Sequence, residues 1–240
     1  MKLKKIASLA LAGIMAVSML TACGNTISDN EQNNKPEEPT VTGYSAMLEG
    51  KMSTQVKNKT VFQDDADLNA ALDYAVGSVG HDDITADFVY GAEHGGAIRF
   101  ISKTDDANDP LRMVVSTMRD KLDVKAKWEL TDNGTLDNIR PDDDTTAYNS
   151  YKKNNVNTLL VYVVDDGVAV TNALDQIKNR LQETWEDDLY DDYTLANGQN
   201  SGRDYHYVCS VAVSNRNFES GHGVGLNFIA VEVTRVDGNK

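Results

Sequence analysis

Cysteine, proline and positive charge are all scarce in this chain. Cys23 and Cys209 are the only two cysteines in 240 residues. That is too few for a disulfide framework, so the fold has to be held by an apolar core. There are four prolines, and no Pro/Gly/Ser-rich joint divides the stretch after residue 43. The polar segment 132–155 is the best internal boundary. Lys and Arg total 23 against 37 Asp and Glu, a formal charge of −14. Nucleic-acid binding, which needs clustered cations to displace counterions, is thereby disfavoured. Electrostatic docking to anionic lipids or anionic wall polymers is disfavoured for the same reason, while a strongly acidic surface keeps a protein soluble. Past the N-terminus, no apolar run approaches the ~20 residues needed to span a membrane.

Catalytic signatures are missing as well. The sequence contains no H-E-x-x-H, no P-loop, no G-x-S-x-G elbow and no D-x-[DN]-x-[DN]-G calcium loop. These absences argue against an enzyme of a common type without excluding one.

The strongest positive pattern is at the start. Lys2, Lys4 and Lys5 precede an apolar run from Ile6 to Leu20, and Leu20-Thr21-Ala22-Cys23 follows. The run is shorter than a spanning helix and carries the charged flank of a cleaved signal. This pattern resembles the bacterial lipoprotein signal and lipobox. The resemblance implies cleavage before Cys23, attachment of a diacylglyceryl group there, and further acylation such as palmitate. Two acyl chains give stable anchoring where one is marginal. The implied location is extracytoplasmic, lipid-anchored to the cell membrane, with a Gram-positive surface favoured.

Residues 23–43 then read as a lipidated N-terminus and a tether. They are rich in Asn, Glu, Pro and Thr and cannot bury enough surface to order themselves. About twenty flexible residues reach ~25 Å, enough to clear lipid headgroups.

The remainder, 44–240, has the size of one domain. Helical spacing of apolar residues predicts helices over 66–77 (Leu68, Ala71, Leu72, Ala75, Val76), 110–122 (Leu111, Val114, Val115, Met118) and 169–186 (Val170, Leu174, Ile177, Leu181, Trp185). Asp65 or Asp67 caps the first, with Gly77 or Gly80 to end it, and Asp109-Pro110 opens the second. A fourth helix over 45–57 is weakened by Gly50. Strands are expected at 97–102, 124–130, 158–164, 205–214 and 225–235. The third is continuously apolar, as in a strand buried on both faces, and the last two form an antiparallel hairpin. The expected fold class is α+β: a layered domain with a mixed, largely antiparallel sheet of about five strands and three to four helices.

Four groups of residues attract chemical interest. His81 follows the expected helix over 66–77. His94 sits among glycines beside Glu93, where backbone can approach a ligand. Asp165 and Asp166 end the apolar strand, a position where α/β sheets often hold ligands, although an Asp-Gly turn with an N-cap is the simpler account of them. These five are weak metal candidates. No cofactor is predicted, though oxygen ligands would suit a divalent cation. His222 reads as a hairpin-tip residue and Cys209 as a buried small hydrophobe. The fourth group is aromatic: most of the ten tyrosines, including Tyr148, Tyr151, Tyr190, Tyr193, Tyr205 and Tyr207, fall in the second half. On a surface they would suit a glycan or protein ligand.

Residues 64–81 also look like the first helix of the CAP superfamily of cysteine-rich secretory proteins, with Leu68, Ala70, Ala71, Ala75 and His81 in matching roles. That resemblance implies an α-β-α layered fold. The family's Gly-Glu-Asn stretch and second cleft His have no counterpart, so the cleft it implies is degenerate. The leading expectation is a non-enzymatic binding module for an envelope component, glycan or protein. The alternatives are a hydrolase or metal-dependent enzyme using His81, His94 and nearby carboxylates, and a CAP-like domain with a degenerate cleft.

Overall fold

A computed structural model describes residues 43–80, 96–101, 110–122, 136, 156–187, 204–218 and 224–238. The expected signal and tether, up to residue 42, and the expected strand 124–130 lie outside these. Five helices are described: α1 (Tyr44–Glu49), α2 (Thr54–Lys59), α3 (Ala66–Ser78), α4 (Pro110–Lys121) and α5 (Val170–Asp187). Five strands accompany them: β1 (Thr60–Phe62), β2 (Arg99–Phe100), β3 (Val156–Asp165), β4 (Asp204–Phe218) and β5 (Val224–Gly238).

The strands form one sheet in the order β1-β4-β5-β3-β2. β1 runs parallel to β4, and every other neighbouring pair is antiparallel. The fold is therefore α+β with a mixed, largely antiparallel sheet. The hairpin β4–β5 stays in register from Asp204 opposite Gly238 to Phe218 opposite Val224. β3 and β4, joined through α5, both pair with β5 from opposite sides.

Strand alternation sends side chains to two separate cores. Leu160, Tyr162 and Val164 of β3 join Cys209, Val211, Ile229 and Val231 under α1, α2 and α5. Leu159, Val161 and Val163 join Ala212, Phe228 and Ala230 under α3 and α4. The continuous apolar run of β3 thus serves both faces, and all six residues from Leu159 to Val164 are buried. Each large apolar side chain buried this way contributes about 1.5–3 kcal/mol. The result is three layers, with helices on both faces of the sheet.

Helix boundaries follow local chemistry. The region around 45–57 forms two short helices, because the chain breaks at Gly50 and restarts with Ser53 accepting a hydrogen bond from the Val56 amide. Gly43 is the N-cap of α1, and a Cβ there would collide with the Asp64 carboxylate, which accepts from the Ser45 amide at 3.3 Å. For α3, Asp65 accepts from the Asp67 and Leu68 amides at 2.7 and 3.0 Å. That helix runs through Gly77, and Arg216 donates to the Val76 carbonyl near its end. Opposite polarity at the two helix ends suits this anion and this cation. Pro110 takes the first helical position of α4.

Candidate functional site

Glu232 places a partly buried carboxyl in the middle of the sheet. Along β5, Phe228, Ala230 and Glu232 alternate onto the face covered by α3 and α4. In the ladder Glu232 stands opposite Leu159 on one side and Ser210 on the other. Asn157 donates from Nδ2 to its Oε1 at 3.0 Å. Burial pushes the Glu232 carboxyl up to about 7, the charge of Asp65 adds to the rise, and the Asn157 hydrogen bond opposes it. A carboxyl tuned this way holds its proton near neutrality and releases it within the physiological range, as a general acid or a pH-sensitive group does.

The same helix layer contains a cleft of about 400 Å³ between α3 and α4. Asp67, Ala70, Ala71 and Tyr74 form its α3 wall, one stripe at helical spacing. Lys121 and Leu122 at the end of α4 form the other. The Lys121 ammonium lies 3.8 Å from the centroid of the Tyr74 ring. Tyr74 is 55% exposed.

The residues singled out from sequence are not brought together within the described structure. Cys23, His81, Glu93, His94 and His222 lie outside the described residues. Asp165 and Asp166 make a tight turn: Asp165 accepts from the Gly167 amide at 2.8 Å, and the Asp166 amide donates to the Gly225 carbonyl at 3.0 Å. A Cβ at Gly225 would collide with the Asp166 carboxylate, so glycine lets that side chain fold back over β5. Among the described residues no group of three His, Cys, Asp or Glu side chains is arranged to hold a metal ion.

Cys209 is completely buried, and that burial, with the Glu232 charge adding to it, pushes its thiol well above the ordinary range. Its environment suits packing rather than nucleophilic chemistry. Of the tyrosines, Tyr207 is buried opposite Arg235 and Thr60 in the ladder, and Tyr162 is buried against Phe100. Tyr148, Tyr151, Tyr190 and Tyr193, and the side chain of Tyr205, lie outside the described residues. The exposed aromatic at a cleft is Tyr74, which the sequence reading passed over.

Glu232 was missed too, although one cue was available. Within the expected strand 225–235 it interrupts a face that otherwise reads Phe228, Ala230. No protein-family model matches this chain, and neither a curated protein nor a solved structure matches it.

Proposed function

We propose that this chain is a lipid-anchored extracytoplasmic binding protein. Cys23 carries the lipid, residues 24–43 form the tether, and the layered domain captures a glycan or protein of the cell envelope. The observation that carries this reading is the ordered N-terminal pattern of three lysines, an apolar run and Leu20-Thr21-Ala22-Cys23. Two features of the domain support the binding role: an open cleft, and its construction from two helices packed on a common core, which holds its walls at a fixed spacing.

Anchoring is tested by feeding expressing bacteria an alkyne analogue of palmitate. The wild-type chain should take up the label and sediment with membranes. Cys23→Ala should take up no label and should accumulate as a longer precursor that keeps its apolar run. Cys23→Ala protein that still takes up the label, or that is cut to the wild-type length, overturns the reading. For the binding role, the full chain in detergent should show saturable retention on envelope fragments. Efficient turnover of a defined substrate would instead favour the enzyme reading, for which the proton-holding carboxyl of Glu232 is the one specific support. In that case Glu232→Gln should abolish turnover.

A further inference from the structure

We propose that the cleft between α3 and α4 binds a neutral sugar ring, with Tyr74 as its stacking face and Asp67 and Lys121 as its hydroxyl partners. This deepens the binding-protein reading and rests on it.

Three properties of the cleft lead to that ligand. The first is size: about 400 Å³ falls in the range of small-molecule sites and is too small to seat a folded partner. Alanines at positions 70 and 71 keep its floor open, because neither extends past Cβ. The second is charge. One wall carries a carboxylate, which only accepts hydrogen bonds, and the other an ammonium, which only donates. A hydroxyl does both, so a polyol satisfies both walls at once. A simple anion meets Asp67 and an overall charge of −14, and a simple cation meets Lys121.

The third is the aromatic. A tyrosine ring 55% exposed at the rim of a polar cleft presents a flat apolar surface of the kind that stacks against the C–H face of a pyranose. Lys121 now rests on that ring, in a contact that is weak at exposed sites. It yields to a ligand that stacks on the ring and accepts a new hydrogen bond from the ammonium. A protein helix is the poorer fit, because among the described residues the lining offers no deep apolar pocket for an anchoring side chain.

The test titrates the full chain in detergent micelles with three neutral tetrasaccharides: tetraacetylchitotetraose, cellotetraose and maltotetraose. Binding is followed by calorimetry and by saturation-transfer NMR. At least one should bind saturably. Tyr74→Ala should weaken it about tenfold, the worth of a stacking contact. Tyr74→Phe should retain binding, and Asp67→Asn and Lys121→Met should each weaken it several-fold. These positions are at the surface, so the variants should keep wild-type stability.

Wild-type affinity in Tyr74→Ala overturns the site. Failure of all three sugars to bind at millimolar concentration overturns the ligand class. If envelope fragments still retain the chain in either case, the binding-protein reading survives and only this inference falls. If that retention also fails, both fall.

Discussion

The two faces of the sheet are packed in different styles. Under α1, α2 and α5 the side chains are large and the layer is closed: Trp185, Tyr162, Tyr207 and Arg235 are among the bulkiest fully buried residues. Polar atoms are buried there without partners among the described residues, including Trp185 Nε1, Gln182 Oε1, Thr60 Oγ1 and Thr158 Oγ1. Lys51 bridges α5 through Asp175 at 2.7 Å, and Gln176 and Arg180 hold the segment before β2 by bonding Gly96 and Ile98. Under α3 and α4 the side chains are smaller, with Ala71, Ala75, Ala212 and Ala230 in the core. That face has the open cleft and the titrating Glu232. One face acts as a clamp, and the other keeps space and charge available. The contrast teaches that one sheet can carry an open cleft above one core while the core on its opposite face is closed by larger side chains.

If the closed face is the structural one, the largest loss should come from emptying it. Trp185 is 2% exposed and packs at 5.9 Å from the Phe62 ring. Trp185→Ala should destabilise the domain by about 3–5 kcal/mol, measured by urea unfolding. Trp185→Phe should lose far less, because the indole N–H has no partner among the described residues to forfeit. Equal losses in the two variants would mean that the polar atom, rather than the packed volume, matters at this position.

On the open face the sensitive variable is pH. The Glu232 carboxyl has its ordinary value of 4.5 in the unfolded chain and about 7 in the folded one. Below pH 4.5 both states carry the proton and the group is neutral in stability. Between 4.5 and 7 the unfolded state releases its proton while the folded state retains it, so stability falls as pH rises. Above 7 both are ionised, and the penalty levels off at about 3 kcal/mol. Glu232→Gln should flatten this part of the stability curve and leave the protein more stable than wild type at pH 8. An unchanged slope between pH 5 and 7 in that variant would place the titration elsewhere.

How much of this was legible in the sequence depended on how far apart the determining residues lie. Leu174, Ile177, Leu181 and Trp185 announce α5 through their own spacing, and the unbroken run in β3 announces a strand shared by two cores. Gly50 signalled weakness in the first helical region, and the chain does break there. β1 gave no signal, because three residues carry no period; it exists because β4 offers a parallel partner for Thr60, Val61 and Phe62. Glu232 looked like an ordinary polar strand residue. Its shifted carboxyl comes from burial beside Leu159 and Ser210 and from the charge of Asp65, all distant in sequence. The cleft was hidden for the same reason. Asp67 and Tyr74 lie on one helix margin, but Lys121 reaches them from another helix.

The smallest effect is the most discriminating, because Asp65 acts on both the helix and the carboxyl. It caps α3 through two amides, and its charge helps to raise Glu232. Asp65→Asn keeps a good capping oxygen and removes the charge. At pH 5, where Glu232 holds its proton in the folded state, this variant should match wild type within the few tenths of a kcal/mol that separate good caps. At pH 8, where Glu232 is ionised, relief of repulsion should make it more stable by under about 1 kcal/mol. Asp65→Ala loses the cap itself, about 1 kcal/mol, and should show that loss in full at pH 5 and only partly at pH 8. The difference between the two variants, the same at both pH values, measures the cap, and the gain of each variant over wild type from pH 5 to pH 8 measures the electrostatic link. If neither variant gains on wild type between pH 5 and pH 8 and neither moves the Glu232 transition, Asp65 is only a cap. The charge on the open face would then be set by burial alone.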